Sequence, residues 1–442
     1  MLGRAPSWGR PRPLHPLQEH RGGAGSGAAA ARPRTADAAP GPKSPGSRPG
    51  HPTNARTRPR PGAEHRCRGG RRALSSSEHP PAPDGRLRPE VFRLPVERIR
   101  EGYYSDAYFN STRELLLAQG LHPRVLMQVF QKRDGARLGG IDEALAVLRM
   151  CAGRRRGDGS WEDGWPQLEV YALREGDEIA GREVVLTIAG EYDLFAQLET
   201  VYLGCLTRRT AIMSNVRRTV RAARGKPILF FPARHEHWLV QTGDGWAAHV
   251  AGAIGVSTDA QASWWGGRGV GTVPHSLIAA YGGDTVRAAE AFAERFHEEM
   301  NVTVLVDFVN DSVATSLAVA QALGPRLWGV RLDTAEDLVD RSLAGRREPH
   351  LAGVAPQLVR LVRRRLDEAG FERVRIVASG GFDAERIERF ERDGVPVDAY
   401  GVGSSLLRGG HDFTADVVEV EGRPCAKTGR ARWPNPRLER VA

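Results

Sequence analysis

Short apolar runs recur through the second half of the chain, and this rhythm limits the folds that the chain can adopt. The runs span residues 227–231, 302–308, 327–333, 374–379 and 397–401. Helix-forming stretches separate most of them. Continuous apolar strands that alternate with helices are typical of parallel strands buried on both faces. We therefore predict repeated βα units that form a barrel or a doubly wound sheet.

The helices between these strands are predicted from periodicity and from their end signals. One covers residues 285–300, and another begins at Thr334, where Asp337 closes a capping-box pattern. Two more cover residues 356–370 and 383–394, each ended by a glycine.

The preceding region mixes both element types. A strand is predicted at 125–130, an amphipathic helix at 141–150, and an antiparallel pair at 168–176 and 182–190. This pattern indicates a smaller α/β domain. The predicted organisation is a tail (1–90), an N-terminal α/β domain (91–210), a barrel domain (211–410), and a C-terminal segment (411–442) that packs back on the N-terminal domain.

Composition separates the tail from the rest. Residues 1–88 carry a net charge of +12, so the remaining residues carry −2 of the chain's total of +10. The basic charge therefore gives no ground for a nucleic-acid-binding body. The tail is rich in Arg, Pro, Gly and Ala, which predicts disorder. It resembles an organellar transit peptide, but we favour a non-native extension.

Neither the apolar runs nor the cysteines indicate a membrane or an oxidising compartment. No run of 18 apolar residues occurs, so we expect no membrane span. The four cysteines have no CxxC spacing, which predicts neither a disulfide framework nor a zinc site and favours a cytoplasmic setting.

Chemically reactive residues follow the predicted strands. In parallel α/β folds the chemistry lies at the carboxyl ends of the strands. Arg234 follows the first strand, Asp307 lies at the end of the second, and Arg331 and Asp333 end the third. The carboxylates could hold Mg²⁺ or a cationic transition state, or each could cap the next helix. The arginines suit an anion.

Glycines close the last two predicted strands. They lie in residues 379–381 and 401–405, where a barrel places a phosphate-binding nest of backbone N–H groups. A Gly/Pro turn over residues 271–274 presents His275 at the start of a helix.

Seven short motifs then occur in an order that resembles the nicotinate phosphoribosyltransferase family. They are residues 104–108 (YSDAY), 231–234 (FPAR), 257–259 (STD), 271–276 (GTVPHS), 331–334 (RLDT), 379–381 (SGG) and 401–404 (GVGS). The resemblance runs from about residue 92 to the C-terminus. It implies an irregular parallel α/β barrel beside a smaller α/β sandwich domain, in a homodimer with a shared active site.

The resemblance also implies roles for particular residues. Phe231 and Tyr108 of the second subunit would enclose the pyridine ring, Arg234 would face its carboxylate, and Asp259 would lie near the base or ribose. The remaining implied roles are a phosphorylated histidine (His275), reaction-centre carboxylates (Asp307, Asp333), a ribose contact (Arg331) and phosphate contacts (Gly380, Gly381, Gly403, Ser404).

The implied reaction joins nicotinate to phosphoribosyl pyrophosphate, with Mg²⁺ as cofactor and ATP as co-substrate, in NAD biosynthesis. Some relatives carry a zinc-binding cysteine cluster near the C-terminus; only Cys425 remains here, so no metal ligands are predicted. The Trp/Gly-rich residues 262–269 match no family motif.

Other functions remain open at this point. Nicotinamide as substrate would leave Arg234 without an anionic partner. Quinolinate would need further cations near the base, for which Arg208 and Arg209 are candidates. An inactive regulatory protein on the same fold has no supporting feature, and a nucleic-acid binder would rely on the tail alone.

Overall fold

The computed structural model describes residues 85–442 of the chain. The predicted tail lies outside the described residues as far as position 84. Arg86 belongs to the described part and is buried; its Nη1 donates to Asp142 at 2.9 Å and its Nη2 to the carbonyl of Leu173 at 3.0 Å.

Sixteen strands and eleven α-helices make up the described chain. The strands are β1 (Arg124–Phe130), β2 (Ala136–Arg137), β3 (Gly153–Arg155), β4 (Trp161–Asp163), β5 (Glu169–Ala172), β6 (Glu178–Ile179), β7 (Val184–Glu191), β8 (Ile228–Phe230), β9 (Gly255–Val256), β10 (Val302–Leu305), β11 (Leu327–Leu332), β12 (Arg375–Ala378), β13 (Ala399–Val402), β14 (Thr414–Val420), β15 (Arg423–Pro424) and β16 (Glu439–Arg440). The helices are α1 (Val96–Arg100), α2 (Ala107–Ala118), α3 (Ile141–Cys151), α4 (Glu199–Ala222), α5 (Gln241–Val250), α6 (Asp259–Ala262), α7 (His275–Ala280), α8 (Thr285–Phe296), α9 (Ser312–Leu323), α10 (Pro356–Glu368) and α11 (Ala384–Arg392).

One sheet is antiparallel, in the order β15-β14-β1-β7-β5-β16. Alternate residues of β1 (Val125, Met127 and Val129) are buried in one core with α3, as the two-residue period of a strand requires. The C-terminal strand β14 pairs with β1, so that Val125 lies opposite Val420. The first and last strands of the described chain, β1 and β16, thus share one sheet.

The second sheet is parallel and curled, in the order β10-β11-β12-β13-β8-β9. Residues 270–273 bridge its two edges: Val270 N–H donates to Val256 of β9 at 2.7 Å, and Val273 N–H donates to Thr303 of β10 at 2.8 Å. The segment that leads to His275 therefore joins the edges of the sheet. The prediction of an α/β barrel beside a smaller α/β domain is confirmed.

A buried ion-pair network fixes α4 between α3 and α5. Arg209 on α4 donates to Glu143 of α3 at 2.9 Å and to Asp244 of α5 at 2.7 Å. Arg208 adds two bonds to Asp244, at 2.7 and 3.0 Å. Both arginines therefore make ion pairs that hold neighbouring helices together.

The helix predicted to begin at Thr334 is absent; the next α-helix after β11 is α10. Tertiary hydrogen bonds hold this stretch instead. Asp340 is fully buried and its carboxylate accepts from the N–H groups of Ser312 and Ser342, while Arg341 N–H donates to the carbonyl of Asn310. The bonds to Ser312 and Asn310 are long-range, and they outweigh a local capping pattern. Among the described helices, we find none whose length and hydropathy would suit a transmembrane span.

Candidate active site

The carboxyl ends of the parallel strands open into a cavity of 910 Å³. Five of the six strand ends contribute polar or aromatic side chains, as the βα architecture predicts, while β10 contributes Leu305. The sequence-predicted residues that line the cavity are Phe231, Arg234, His275, Arg331, Asp333, Gly380, Gly381, Gly403 and Ser404.

His275 is the first residue of α7, and Asp307 orients its ring. Nε2 of His275 lies 3.0 Å from Oδ1 of Asp307, whose side chain is buried. An ionised carboxylate can only accept, so Nε2 donates in this contact, and Nδ1 has no hydrogen-bond partner among the described residues. The hydrogen bond with Asp307 raises the pKa of His275 above its usual value, against the opposing effect of burial.

Arg331, Asp333 and Ser379 form a chain of charge-assisted hydrogen bonds across β11 and β12. Arg331 Nε donates to Ser379 Oγ at 2.7 Å, and Ser379 Oγ donates to Asp333 Oδ1 at 2.7 Å. Arg331 Nη2 lies 3.5 Å from the same carboxylate oxygen. This chain holds a carboxylate and a guanidinium in the lining of the cavity.

Four backbone N–H groups form what we call the phosphate nest: those of Gly380, Gly381, Gly403 and Ser404. Within residues 85–442, none of the four donates to a protein acceptor. Gly380 and Gly381 adopt φ angles of 83° and 64°, which favour glycine. Unpaired N–H groups of successive residues in such conformations bind anions. These four N–H groups are therefore free to donate to an anion.

The part of the cavity at the end of β8, the strand that pairs with β13, is aromatic and cationic. Phe231 packs so closely on Gly401 that a Cβ there would lie 2.8 Å from its ring. The guanidinium of Arg331 stacks 5.0 Å from the centre of the same ring. Arg234, three residues on, makes no ion pair with any residue that the structure describes. An aromatic wall beside an uncompensated cation suits a flat anion.

Three predicted residues are not among those that line the cavity. Asp307 contacts the His275 ring but does not itself line the cavity. Asp259 accepts a hydrogen bond from Gly269 N–H at 2.9 Å, so its carboxylate holds the loop that leads to His275. Tyr108 is on α2 and is 62% exposed, away from the cavity of its own chain.

The Trp/Gly-rich stretch that matched no motif has a packing role. Trp264 is buried and packs edge-on against Phe92 at 4.8 Å between ring centres. It shares a small cluster with Val91 and with Ala146 of α3. The stretch thus joins the barrel to the N-terminal domain.

Sequence reasoning missed several residues around the cavity. His235, Glu336 and Arg408 line it, and Arg386 of α11 donates to the carbonyl of Gly380 at 2.9 Å. His235 directly follows Arg234, a signal that could have been used. The other three lie in loops or on a helix surface, where charged residues are common and carry no signal.

One group outside the cavity has the spacing of metal ligands: His122, Glu191 and Asp193. Arg154 already lies among them, with Nη1 2.8 Å from His122 and 3.1 Å from Asp193 and an ion pair to Glu191. A guanidinium therefore supplies the positive charge that these side chains surround.

The sequence is similar to known proteins over much of its length. The family model described as "Quinolinate phosphoribosyl transferase, N-terminal domain" matches residues 106–210. The nicotinate phosphoribosyltransferase pncB1 of Mycobacterium tuberculosis (strain CDC 1551 / Oshkosh) is 33% identical over 268 residues, which are 59% of this chain and 55% of that protein. The chain spans about half the length of the curated relatives it matches.

Solved structures share the fold. A nicotinate-nucleotide pyrophosphorylase from Pyrococcus furiosus matches with a TM-score of 0.65 and 31% identity, over 79% of this chain and 85% of that one. Human nicotinic acid phosphoribosyltransferase matches with a TM-score of 0.54 and 18% identity, over 73% and 75% of the two chains, which shows the fold alone. Together with the motifs at its strand ends, these similarities establish that the chain belongs to the nicotinate phosphoribosyltransferase family.

Proposed function

We propose that the protein transfers the phosphoribosyl group of phosphoribosyl pyrophosphate to nicotinate, forming nicotinate mononucleotide and pyrophosphate in NAD biosynthesis. The observation that carries the proposal is that one cavity combines two features suited to anions. Its phosphate nest lies at the ends of β12 and β13, and Phe231 and Arg234 follow β8. A nucleotide with a carboxylated base has the same two anionic ends.

The residues between these ends suit the bond exchange. The ring nitrogen of nicotinate forms a bond to C1′ of the ribose as the bond from C1′ to pyrophosphate breaks. Positive charge develops on the ribose in the transition state, and the Asp333 carboxylate, held by Ser379 and Arg331, can stabilise it. Fixing both ends of the substrates keeps the reacting atoms aligned.

A substrate with one carboxylate fits better than one with two. The arginines that could serve a second carboxylate, Arg208 and Arg209, are paired with Asp244, and Arg209 also with Glu143. A substrate with no carboxylate, such as nicotinamide, would leave Arg234 uncompensated. These contacts favour nicotinate, although the family model that matches residues 106–210 is described for quinolinate.

ATP enters the proposal through His275. Its Nδ1 is the nitrogen not engaged by Asp307, and it can attack the terminal phosphorus of ATP while ADP leaves. The phosphohistidine would then lie at the edge of the cavity and favour product formation until water hydrolyses it. The supporting observations are the Asp307 contact and the position of His275 in the cavity lining.

Mg²⁺ is the expected cofactor. It usually binds through one or two carboxylates, substrate phosphates and water. Asp333 fits this need, because its Oδ2 has no partner among the described residues while Oδ1 is held by Ser379. Asp307 is engaged by His275. When bound, the ion would neutralise charge on the departing pyrophosphate.

We also infer a homodimer with shared sites. Helix α2 buries none of its residues within the described chain and exposes Tyr108 and Leu115. An exposed apolar helix of this kind favours a protein contact. In a dimer, Tyr108 would complete the base site of the second subunit opposite Phe231.

The test is product analysis by mass spectrometry. The full chain is incubated with phosphoribosyl pyrophosphate, Mg²⁺ and nicotinate, nicotinamide or quinolinate in turn, with and without ATP. We expect nicotinate mononucleotide from nicotinate and more of it with ATP. The proposal would be contradicted if quinolinate were the only one of the three pyridines to give this mononucleotide, with release of CO₂.

A further inference from the structure

A carboxylate that the proposed reaction does not use lies beside the phosphate nest, against the Cα atom of Gly381. Glu336, in the loop after β11, approaches Gly381 so closely that a Cβ on that glycine would lie 1.7 Å from Glu336 Oε1. Both residues line the cavity. Within residues 85–442, Glu336 makes no hydrogen bond or ion pair within 4.0 Å. An unpaired anion at an anion site calls for an explanation.

The cation on which Glu336 acts is Arg386. The guanidinium of Arg386 donates to the carbonyls of Gly380 at 2.9 Å and Val354 at 3.0 Å, and it stacks 4.3 Å from the centre of the Phe382 ring. Burial lowers the pKa of this arginine, and the charge of Glu336 opposes that effect. Arg386 has no carboxylate partner within ion-pair distance among the described residues.

Arg386 also controls the direction of a nest N–H group. The peptide between Gly380 and Gly381 is trans, so its C=O and N–H point in opposite directions. Because Arg386 draws the Gly380 carbonyl to itself, the N–H of Gly381 is held on the opposite side of the peptide. The guanidinium thus fixes the orientation of a phosphate-binding donor.

We propose that Glu336 is a displaceable carboxylate beside the phosphate nest, where its charge competes with that of phosphate, and that Arg386 is the positioning residue of the nest. In the ligand-free chain, the Glu336 carboxylate offsets the positive potential of the nest and of Arg386. A phosphate monoester that binds the nest N–H groups repels this carboxylate, and the loop that carries Glu336 moves aside. The identification of that phosphate as the donor's 5′-phosphate rests on the proposed function; the displacement itself does not.

This arrangement gives two opposite expectations. Glu336→Gln keeps the size of the side chain and removes a charge that repels phosphate, so the nest should bind phosphate about tenfold more tightly. Arg386→Gln removes the charge and the hold on Gly380, so binding should weaken by about tenfold. Glu388→Gln makes the same charge change on an exposed position of α11 and serves as the matched control.

The measurement is the Kd of ribose 5-phosphate by isothermal titration calorimetry, in EDTA so that no divalent cation contributes. We expect the Glu336→Gln gain to shrink as salt rises, and Glu388→Gln to match the wild type within about twofold. An unchanged Kd in Glu336→Gln would show that the carboxylate does not compete with phosphate. A higher Kd in Glu336→Gln would show that the Glu336 carboxylate contacts the ligand. Either result overturns the proposal.

Two further measurements test the role of Arg386 by itself and separate the inference about Glu336 from the proposed function. If Arg386→Gln fails to fold, Arg386→Lys is the second variant; it keeps the charge, and we expect the donor KM to rise while kcat stays near the wild-type value. A wild-type Kd and KM in a folded Arg386 variant would remove its positioning role. Charge-dependent ribose 5-phosphate binding without mononucleotide formation would contradict the proposed function alone, whereas mononucleotide formation with an unresponsive Glu336→Gln variant would contradict this inference alone.

Discussion

At the scale of single residues, the cavity is defined by which charges are compensated and which are not. Asp333 is held by Ser379 and Arg331, and Asp307 by His275. Arg234 makes no ion pair with any described residue. A charge without a partner beside an aromatic ring is where a charged substrate gains binding free energy, since the protein has no competing contact there.

Replacing Arg234 tests this assignment. A charge-assisted hydrogen bond contributes about 1.5–3 kcal/mol, and each 1.4 kcal/mol is about a tenfold change. We expect Arg234→Ala to raise the KM for nicotinate by one to two orders of magnitude. Arg364→Ala, on the exposed face of α10, is the control and should leave KM unchanged. A wild-type KM in Arg234→Ala would remove Arg234 from the base site.

The pH dependence tests the pairing of His275 with Asp307. The raised pKa of His275 means that the imidazole is more often protonated near neutral pH, and only the neutral ring can attack ATP. We expect phosphorylation of the protein by labelled ATP to increase as pH rises through this raised pKa, above the ordinary value of about 6.5.

Asp307→Asn supplies the second half of that test. Removing the carboxylate takes away the main cause of the raised pKa, so the midpoint of the pH profile should move towards acid. The stability that the pair contributes is present below the unfolded pKa and is lost as pH rises through the folded value. A midpoint that stays in place, or moves towards alkali, would contradict the role given to Asp307.

At the scale of elements, the strands could be predicted and the irregular segments could not. Parallel strands are buried on both faces, so their apolar runs are legible in sequence, and α10 and α11 have clear periodicity and end signals. The stretch after Thr334 has an equally good local signal but is held by the contacts of Asp340 with Ser312 and Ser342. Sequence spacing contains no information about such contacts.

The same limit applies to the site. Glycines and arginines at strand ends were predicted because topology alone brings those ends together. Arg386 lies on the helix after β12 and acts through the carbonyl of Gly380, a backbone contact that no motif records. Asp259 was expected at the substrate, and its contact with Gly269 depends on a loop conformation that a Trp/Gly-rich stretch does not specify.

The close contact between β13 and Phe231 gives an element-scale prediction. In Gly401→Ala the new Cβ would lie 2.8 Å from the Phe231 ring, and overpacking of this kind costs about 1–3 kcal/mol. We expect the ring to shift and the KM for nicotinate to rise about tenfold, with kcat for bound substrate less affected. Calorimetric binding of nicotinate gives the same comparison.

Gly204→Ala is the matched control for that change. Gly204 lies in α4 with nothing near the new methyl group, so the substitution should add about 0.5–1 kcal/mol of stability through helix propensity and leave KM as it was. Equal KM values in Gly401→Ala and Gly204→Ala would show that the position of Phe231 does not govern base binding.

At the scale of the whole molecule, both ends of the described chain support the N-terminal domain. β14 pairs with β1, and Arg86 forms a buried ion pair with Asp142 at 2.9 Å. The site itself lies in the barrel, and α2 with Tyr108 faces outward. The contacts that hold both ends of the described chain therefore lie outside the cavity.

The position of Arg86 distinguishes two truncations of the N-terminal tail. Composition gives no reason for residues 1–84 to support the fold, so a chain beginning at Gly85 should keep its melting temperature and activity. A chain beginning at Pro89 loses the Arg86–Asp142 pair, and breaking a buried pair costs about 3–5 kcal/mol. Differential scanning calorimetry of both chains decides; equal melting temperatures would show that the pair contributes little.

Mixed subunits test the shared site. Tyr108→Ala and Arg234→Ala chains should each be nearly inactive alone. In a heterodimer, one site receives a native Tyr108 and a native Arg234, so unfolding and refolding the two variants together should restore up to about one quarter of the wild-type activity under random pairing. Activity that stays at the level of the separate variants, in a mixture shown to be dimeric, would contradict the contribution of Tyr108 across the interface.

The central claim is that one cavity binds both ends of nicotinate mononucleotide, and a crystal structure of the protein with that nucleotide tests it most directly. We expect the phosphate within hydrogen-bond distance of the N–H groups of the phosphate nest, the pyridine ring against Phe231, and its carboxylate at Arg234. A nucleotide bound in the reverse direction, or with its phosphate outside the nest, would contradict the account.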